Sequence, residues 1–379
     1  MSNKEKPDFP SLKKILTYTL FLVPSLIFAL LLVFGISNFF RQENISTDYR
    51  ETELTELEND QGHNPEINEQ ENTYTYSPYP NFQYSQNLQN IVDDIIELTR
   101  RKGLPVNEMS ITLIDVNSHT IAEYQQDQLK FPASVVKLFW MVNLYQQLEN
   151  NLQIDKSAII DDLDKMIVRS DNEASSRIVD LLTDTESGPK LDGEDYEEWL
   201  QKRYDLNLFF ENAGYGDINI TQKTFPIPYL DFSLPEGREL QMRNNPDDPT
   251  RNSVSTYQAS RLIYEIVMDK AVSYSSSQNM KRWLLRDLEP DTWRNIDPNM
   301  GYFNPVMAFF GESLPTDLIV FSKAGWTSQT RQEVAFISSQ DQKTAYILAI
   351  FAEDRLFSLD ERLFPEMSRL VYERMNVLD

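Results

Sequence analysis

The most informative feature of this sequence is what it lacks. The chain of 379 residues contains no cysteine and only two histidines, His63 and His119. The absence of cysteine excludes a thiol nucleophile, a disulfide framework and any cysteine-ligated metal site. Two histidines are a poor basis for a multi-histidine zinc site or for a Ser-His-Asp triad. We therefore expect no metal, and a nucleophile that works without histidine.

Positive charge is also scarce. The chain has 35 Lys and Arg against 59 Asp and Glu, a formal net charge of −24. A surface this acidic repels phosphate backbones, so we expect no nucleic-acid partner. The hydrophobic content of 41% is enough for one large domain or two smaller ones with a core. Nothing in the composition indicates a cofactor.

The N-terminal part carries one long apolar run. Residues 15–40 follow Lys13 and Lys14, and as a helix they would span about 39 Å. We interpret residues 1–14 as cytoplasmic and 15–40 as an uncleaved transmembrane helix, because lysines mark the inner side of a membrane. The remaining chain would then be extracytoplasmic, in the periplasm. A cleaved signal peptide with an unusually long apolar core is the alternative.

Residues 41–85 resemble a tether. Ten acidic residues and two arginines lie between Arg41 and Glu71, and the following stretch Asn72–Ser85 has no charge at all. Few aliphatic residues and no clear period predict a disordered acidic linker. His63 lies in this linker, which removes it as a catalytic candidate. The folded domain is expected at 86–379.

Helical and strand patterns from residue 88 onward predict an α+β fold, an α/β sandwich. Helices are expected at Leu88–Arg101, Ser134–Leu148 and Pro365–Met375, and strands at Ser110–Asp115, Thr120–Tyr124, Asp317–Ser322, Glu333–Ser338 and Thr344–Phe351. Strands from both ends of the domain would form one antiparallel sheet flanked by helices, with an all-helical lobe between them. His119 would lie exposed at a hairpin tip.

One serine and one lysine have the spacing needed for histidine-free nucleophilic catalysis. Ser134 and Lys137 lie three residues apart at the start of a strongly apolar helix, after Pro132, which favours a helix start. The helix N-terminus stabilises negative charge that develops on the serine. The lysine can take the serine proton if burial lowers its pKa.

Two more motifs follow in order. Ser170-Asp171-Asn172 lies in a run with helical spacing, and Lys323-Ala324-Gly325 comes at the end of a predicted strand. With Ser134 and Lys137, this order resembles the penicillin-recognising serine hydrolases, and within them the class A β-lactamases, which carry S-x-x-K, S-D-N and K-T-G. The resemblance covers roughly residues 88–379 and implies a β-lactamase/transpeptidase-like fold.

The resemblance also implies roles for the residues of the three motifs. Ser134 would be the acylated nucleophile, Lys137 would take or relay its proton, and Ser170 would pass a proton to the leaving nitrogen. Asn172 would hydrogen-bond the acylamide side chain of the substrate, and Lys323 would add positive charge near its carboxylate.

The third motif is expected to shape the binding site as well. The backbone N–H groups of Ser134 and Trp326 would form the oxyanion hole. Gly325 would let the substrate backbone approach the strand edge. Ala324 replaces the usual hydroxyl residue, and Arg331 is either a substitute contact for the substrate carboxylate or a surface arginine. Trp326 would crowd or shape the pocket.

The base for deacylation is the weakest part of the resemblance. Class A β-lactamases use a glutamate on an irregular loop with a helping asparagine, and the corresponding loop here is Pro226–Ser255. Glu239 lies near the expected place, Glu236 is its rival, and the position of the helper falls on Arg243. Both glutamates could equally be solvated loop charges. Without a working base, the acyl-enzyme formed with penicillin would persist. Residues 183–215 resemble an insertion of unknown role.

Three functions remain open from the sequence. The leading hypothesis is a membrane-anchored serine hydrolase of the class A β-lactamase type, with β-lactams as substrates. The second is a penicillin-binding D-Ala-D-Ala carboxypeptidase or endopeptidase that acts on cell-wall peptides. The third is a catalytically silent binding protein with the same fold.

Overall fold

A six-stranded sheet organises the part of the chain that the structure describes. The computed structural model describes residues 80–150, 156–296 and 303–378. The strands are β1 Gln83–Tyr84, β2 Met109–Asp115, β3 Thr120–Tyr124, β4 Ile319–Thr327, β5 Thr330–Ser338 and β6 Ala345–Ala352. Their order across the sheet is β1-β3-β2-β6-β5-β4, which places β4 at an edge.

Helices account for most of the other described residues. They are α1 Gln86–Arg101, α2 Val136–Glu149, α3 Lys156–Leu163, α4 Asn172–Thr183, α5 Gly193–Asn212, α6 Gly237–Gln241, α7 Thr256–Val267, α8 Tyr274–Leu284, α9 Pro290–Trp293, α10 Arg355–Leu359 and α11 Leu363–Leu378. The predicted helices and strands are all present, with shifts at their ends.

The pairing of the strands confirms the α+β fold. Strands β2 and β6 pair antiparallel from Met109↔Ala352 to Asp115↔Tyr346, so the two ends of the domain share one sheet. The expectation of a purely antiparallel sheet is wrong in one respect, because β1 pairs parallel with β3. A strand of two residues is too short to show an alternation of apolar and polar residues. The sequence therefore did not predict β1, which lies inside the predicted linker 41–85.

Two layers of helices cover the sheet. Helices α1 and α11 bury one face, where Leu88, Ile91 and Ile95 of α1 recur at helical spacing and join the main core. On the other face, α7 packs against β2, β5 and β6. A capping box of Ser255 and Gln258 begins α7, which satisfies two of its free backbone N–H groups.

The helical lobe is built around α2. Nearly every residue of α2 is buried, and its neighbours include α4, α5 and α8. A helix that is apolar on all sides requires such a position. The segment 183–215, predicted to be an insertion, contributes α5 to this lobe.

The predictions for the N-terminal part lie outside the described residues. This applies to the cytoplasmic segment 1–14, the membrane span 15–40 and most of the linker 41–85. Within the described ranges, no helix is long and apolar enough to cross a bilayer. The membrane anchor and its orientation stay predictions.

Candidate active site

Ser134 lies in a tight turn that leads into α2. We call residues 130–135 the nucleophile turn; it ends in a 3₁₀ turn over Ala133–Val135, and Ala133 has a left-handed backbone with φ of +47°. Ser134 is half-buried. The sequence correctly placed a helix start here, although the α-helix itself begins two residues later.

Strand β4 packs directly against the nucleophile turn at Gly325. A Cβ atom at Gly325 would lie 2.8 Å from both Ser134 N and Pro132 O. Contacts this short do not occur for real side chains, so only glycine fits. The glycine thus makes room for the protein's own turn, and the predicted approach of the substrate backbone stays a prediction.

Lys137 is a fully buried amine surrounded by oxygen atoms. Its Nζ donates to Ser170 O at 2.6 Å, to Asn172 Oδ1 at 2.9 Å and to Asp171 O at 3.3 Å. Burial lowers the pKa of Lys137 to about 7, against a smaller opposing effect of the Asp171 carboxylate. A pKa near 7 leaves about half of these amines neutral at neutral pH. This is the protonation state that a proton acceptor needs.

The second motif lies at a break between helices, and not inside a continuous helix as its spacing suggested. Helix α3 passes into a π-helical turn over Asp164–Val168, and Ser170 then adopts a left-handed backbone with φ of +56°. Asp171 caps α4 by accepting from Ala174 N at 2.7 Å. This break directs the carbonyl groups of Ser170 and Asp171 at Lys137.

Lys323 completes the cluster from the sheet side. Its Nζ donates to Ser170 Oγ at 3.0 Å and to Ala324 O at 2.9 Å. Burial lowers its pKa well below the usual value, and the charges of Lys137 and Arg286 act in the same direction. Ser170 therefore lies between two buried amines, one on its carbonyl and one on its hydroxyl.

The third motif lies inside β4, and not at the strand end that the sequence indicated. Ala324 is completely buried in the core shared with α1 and α11. Trp326 is 48% exposed, and its Nε1 donates to Ser358 O at 3.2 Å. Within the described residues β4 is an edge strand that is bridged on its outer side at Phe321 by Leu285, and alternate backbone N–H groups further along β4 face away from β5.

The structure does not support a substrate-carboxylate contact for Arg331. Its guanidinium is buried and donates to three carbonyls: Ala308 O at 2.9 Å, Ser358 O at 2.8 Å and Phe357 O at 3.2 Å. It is not a surface arginine either. Its role is to join the segment before β4 to α10, and a planar guanidinium with several donors suits such a junction.

Glu239 also has a different environment from the one expected of a deacylation base. It is 3% exposed, and its Oε1 accepts from Arg203 Nη2 and from Ser187 Oγ, both at 2.7 Å. Lys223 Nζ lies 3.9 Å from the same oxygen and 2.5 Å from Asp180 Oδ2. We call Asp180, Arg203, Lys223 and Glu239 the ion cluster.

The short helix α6 is fixed to residues 186–191. Arg238 N donates to Gly188 O at 3.0 Å, and Gln241 bonds both backbone groups of Leu191 at 3.1 and 2.8 Å. Its N-cap, the rival Glu236, is exposed. Arg243, in the helper's place, lies over the ring of Phe225 at 5.7 Å.

A different part of the loop adjoins the motif residues. Tyr229 N donates to Glu173 Oε1 at 2.7 Å, and the Tyr229 hydroxyl lies 3.0 Å from Ser176 Oγ. Glu173 follows Asn172 directly in α4. Residues 224–230 contain no acidic side chain. Glu173 and Tyr229 are not among the site residues predicted from the sequence, although the position of Glu173 beside the second motif was an available signal.

The described ranges offer no place for a metal ion among acidic and histidine side chains. No group of three or more such residues is arranged to hold one. Exposed His119 lies at the tip between β2 and β3, as predicted. The three motifs contribute two hydroxyls, two amines and an amide, and the Glu173 carboxylate lies beside them.

Comparisons with known sequences agree with this geometry. A sequence model described as the Beta-lactamase enzyme family matches residues 155–375. That segment contains the second and third motifs, while Ser134 and Lys137 lie before it. No curated protein matches the chain.

Several solved structures share the fold. A β-lactamase from Sphaerobacter thermophilus is 16% identical with a TM-score of 0.52, and the alignment covers 76% of this chain and 97% of that one. A PBP-A mutant, solved as an acyl-enzyme complex with penicillin G, is 16% identical with a TM-score of 0.52 and coverages of 79% and 100%. A class A β-lactamase from Mycobacterium abscessus is 13% identical with a TM-score of 0.51 and coverages of 76% and 99%.

Proposed function

Because this chain belongs to the Beta-lactamase enzyme family, we propose that it is a serine hydrolase that forms an acyl-enzyme on Ser134. Its substrates would be β-lactams and peptides that end in D-Ala-D-Ala. One observation carries the proposal: the buried amine of Lys137, with a pKa of about 7, lies one helical turn after Ser134 and within hydrogen-bond distance of Asn172.

Acylation begins with proton transfer from Ser134 to Lys137. A neutral amine has two N–H donors and one lone pair, so it keeps its two short contacts, to Ser170 O and Asn172 Oδ1. The longer contact to Asp171 O is given up, and the lone pair accepts the proton of Ser134 Oγ. The oxygen then bonds to the carbonyl carbon of the substrate.

The developing oxyanion would be bound by backbone N–H groups of Ser134 and Trp326. The contact between Gly325 and Ser134 N supports this pairing, because it brings the β4 edge next to the nucleophile. One such donor is typically worth about 3 kcal/mol in the transition state. As the amide C–N bond breaks, Ser170 gives its proton to the leaving nitrogen and regains one from a neighbouring ammonium group.

Deacylation is where the geometry favours the penicillin-binding hypothesis over efficient β-lactam hydrolysis. Two groups that could activate water already have partners. Glu239 binds Arg203 and Ser187. Lys137 donates to three oxygens of residues 170–172. A β-lactam keeps its leaving amine tethered to the acyl group, which obstructs water. A peptide releases its terminal D-Ala and opens the site. We therefore expect long-lived penicilloyl-enzyme and faster turnover of peptides.

β-Lactam hydrolysis stays the second candidate because of Glu173. This carboxylate is half-buried, follows Asn172 and is oriented by the N–H of Tyr229 at 2.7 Å. If water reached it beside the acyl group, it would supply the missing general base.

Stopped-flow kinetics with nitrocefin separates the two candidates. We expect one stoichiometric burst followed by slow turnover, and the Ser134→Ala variant as the control without a burst. Steady turnover without a burst would contradict the trapped state and favour the hydrolytic candidate, in which case Glu173→Gln should create the burst.

The predicted anchor would place this site outside the cytoplasm, where cell-wall peptides and β-lactams are found. The apolar run 15–40 and the lysines before it support this location. Fractionation of cells that express the full chain, with protease added from the periplasmic side, tests it: the catalytic domain should be membrane-bound and digested.

A further inference from the structure

We infer that Gln332 and Glu353 are positioning residues that hold the nucleophile turn in its reactive shape, an inference that rests on the proposed function. Neither residue belongs to the three motifs. Gln332 lies on β5, and Glu353 lies directly after β6. Both reach the same residue, Phe131, three positions before Ser134.

The backbone of Phe131 is held from both sides. Its carbonyl accepts from Gln332 Nε2 at 2.8 Å, and its N–H donates to Glu353 Oε1. Lys130 is fixed as well, since its N–H and C=O pair with Val254 at 3.0 Å each. These side chains therefore fix the path of the chain immediately before the nucleophile.

Gln332 is unusually well suited to this task. It is completely buried, and its Oε1 accepts from Ala352 N at 2.6 Å while its Nε2 binds Phe131. A buried amide with both ends bonded has no freedom to turn. The rigid sheet is thereby connected to the turn through one side chain.

The turn needs such a connection because its backbone is strained. Ala133 adopts a left-handed conformation that residues other than glycine rarely adopt, and such conformations persist only where the surroundings impose them. The same backbone sets the direction of the Ser134 N–H, which serves the oxyanion. Without Gln332, Ala133 can relax to a negative φ and turn that N–H away.

The first test is Gln332→Met, which keeps the length of the side chain and removes both hydrogen bonds. Stopped-flow acylation by nitrocefin should show the rate constant of acylation reduced by about 10- to 100-fold, with the apparent binding constant unchanged. Ser338→Ala is the matched control, because Ser338 is also a buried polar residue of β5, but its hydroxyl donates to the adjacent Ser339 O and not to the nucleophile turn. It should acylate normally.

A second substitution distinguishes positioning from simple destabilisation. Glycine adopts the left-handed conformation without strain, so Ala133→Gly should recover part of the acylation rate in the Gln332→Met background. In the unmodified background it should bring no gain. Equal effects of Ala133→Gly in both backgrounds would overturn the inference.

Glu353 gives an independent test if Gln332→Met folds poorly. Glu353 is half-buried, and its Oε2 also lies 3.6 Å from Nζ of the buried Lys130, so circular dichroism must first show that each variant is folded. Glu353→Ala should slow acylation, whereas Glu353→Gln, which retains an acceptor for Phe131 N–H, should keep most of the rate. Normal acylation of both Glu353→Ala and folded Gln332→Met overturns this inference alone. Failure of the unmodified protein to acylate overturns the proposed function, and this inference with it.

Discussion

Two buried charged regions of this protein are built in opposite ways. In the region of the three motifs, the amines of Lys137 and Lys323 contact carbonyl, amide and hydroxyl oxygens. In the ion cluster, Arg203 and Lys223 contact the carboxylates of Glu239 and Asp180. The four basic side chains are all buried, so the difference lies in their partners.

The partners of the buried amines differ in how they affect the pKa of each amine. A carboxylate beside a buried amine favours its charged form, whereas neutral oxygens do so only weakly. Burial therefore lowers the pKa of Lys137 to about 7, which suits the proton acceptor of the proposed mechanism. In the ion cluster, burial lowers the pKa of Lys223, but Asp180 and Glu239 oppose this shift. Lys223, which is paired with carboxylates, is therefore suited to a structural ion pair.

Helix α5 contributes one residue, Arg203, to the ion cluster. Arg203 lies on α5, within the segment predicted to be an insertion, and it binds the one loop glutamate that the sequence favoured as a base. Segment 183–215 thus supplies the arginine that binds Glu239.

The largest expected effect comes from removing the nucleophile. Ser134→Ala should abolish covalent labelling by a fluorescent penicillin, because the acyl bond has no other acceptor in the proposed mechanism. Circular dichroism should show an unchanged fold. Labelling that persists in this variant would mean that another side chain is acylated.

Substitution of the two buried lysines, Lys137 and Lys223, should have different effects on the acylation rate. Lys137→Met should slow acylation by about 10³-fold, within the range of general base catalysis. Lys223→Met should acylate at the normal rate per folded molecule but lower the melting temperature, because it leaves Asp180 without its closest cation. Equal effects of the two substitutions on acylation would remove the distinction between the regions.

The pH dependence of the acylation rate tests whether Lys137 is the titrating base. Only the neutral amine of Lys137 accepts a proton, so the rate should rise with pH and level off above about 7. Below that value it should fall about tenfold for each pH unit. A rate constant that stays level from pH 5 to pH 8 would show that Lys137 is not the titrating base.

The smallest effect is expected for the loop glutamate. Glu239→Gln should leave both acylation and the lifetime of the penicilloyl-enzyme unchanged, since its partners are Arg203 and Ser187. The substitution should instead lower the free energy of unfolding measured in urea, because breaking a buried ion pair typically costs about 3–5 kcal/mol. A much longer acyl-enzyme lifetime would restore Glu239 as the base.

The fold and the motif residues could largely be predicted from the sequence because their signals are local. Helical spacing marked α1, and alternating or continuous apolar runs marked β2, β5 and β6. The order of the three motifs selected Lys137, Ser170, Asn172 and Lys323, which the structure brings together. Their catalytic roles stay proposals.

The remaining residues could not be assigned because their environments depend on distant segments. Glu239 has partners at positions 187 and 203, and Arg331 binds carbonyls at positions 308, 357 and 358. Neither spacing nor composition reveals such contacts. The break at Ser170 was also missed, since the residues on both sides have helical spacing and only the left-handed backbone separates them.

Intact-mass spectrometry of the unmodified protein after brief exposure to penicillin G is the decisive test of acylation at Ser134. We expect a mass increase of one penicillin molecule, located on Ser134 by peptide mapping and still present after many minutes. An unchanged mass, accompanied by intact antibiotic in solution, would contradict it.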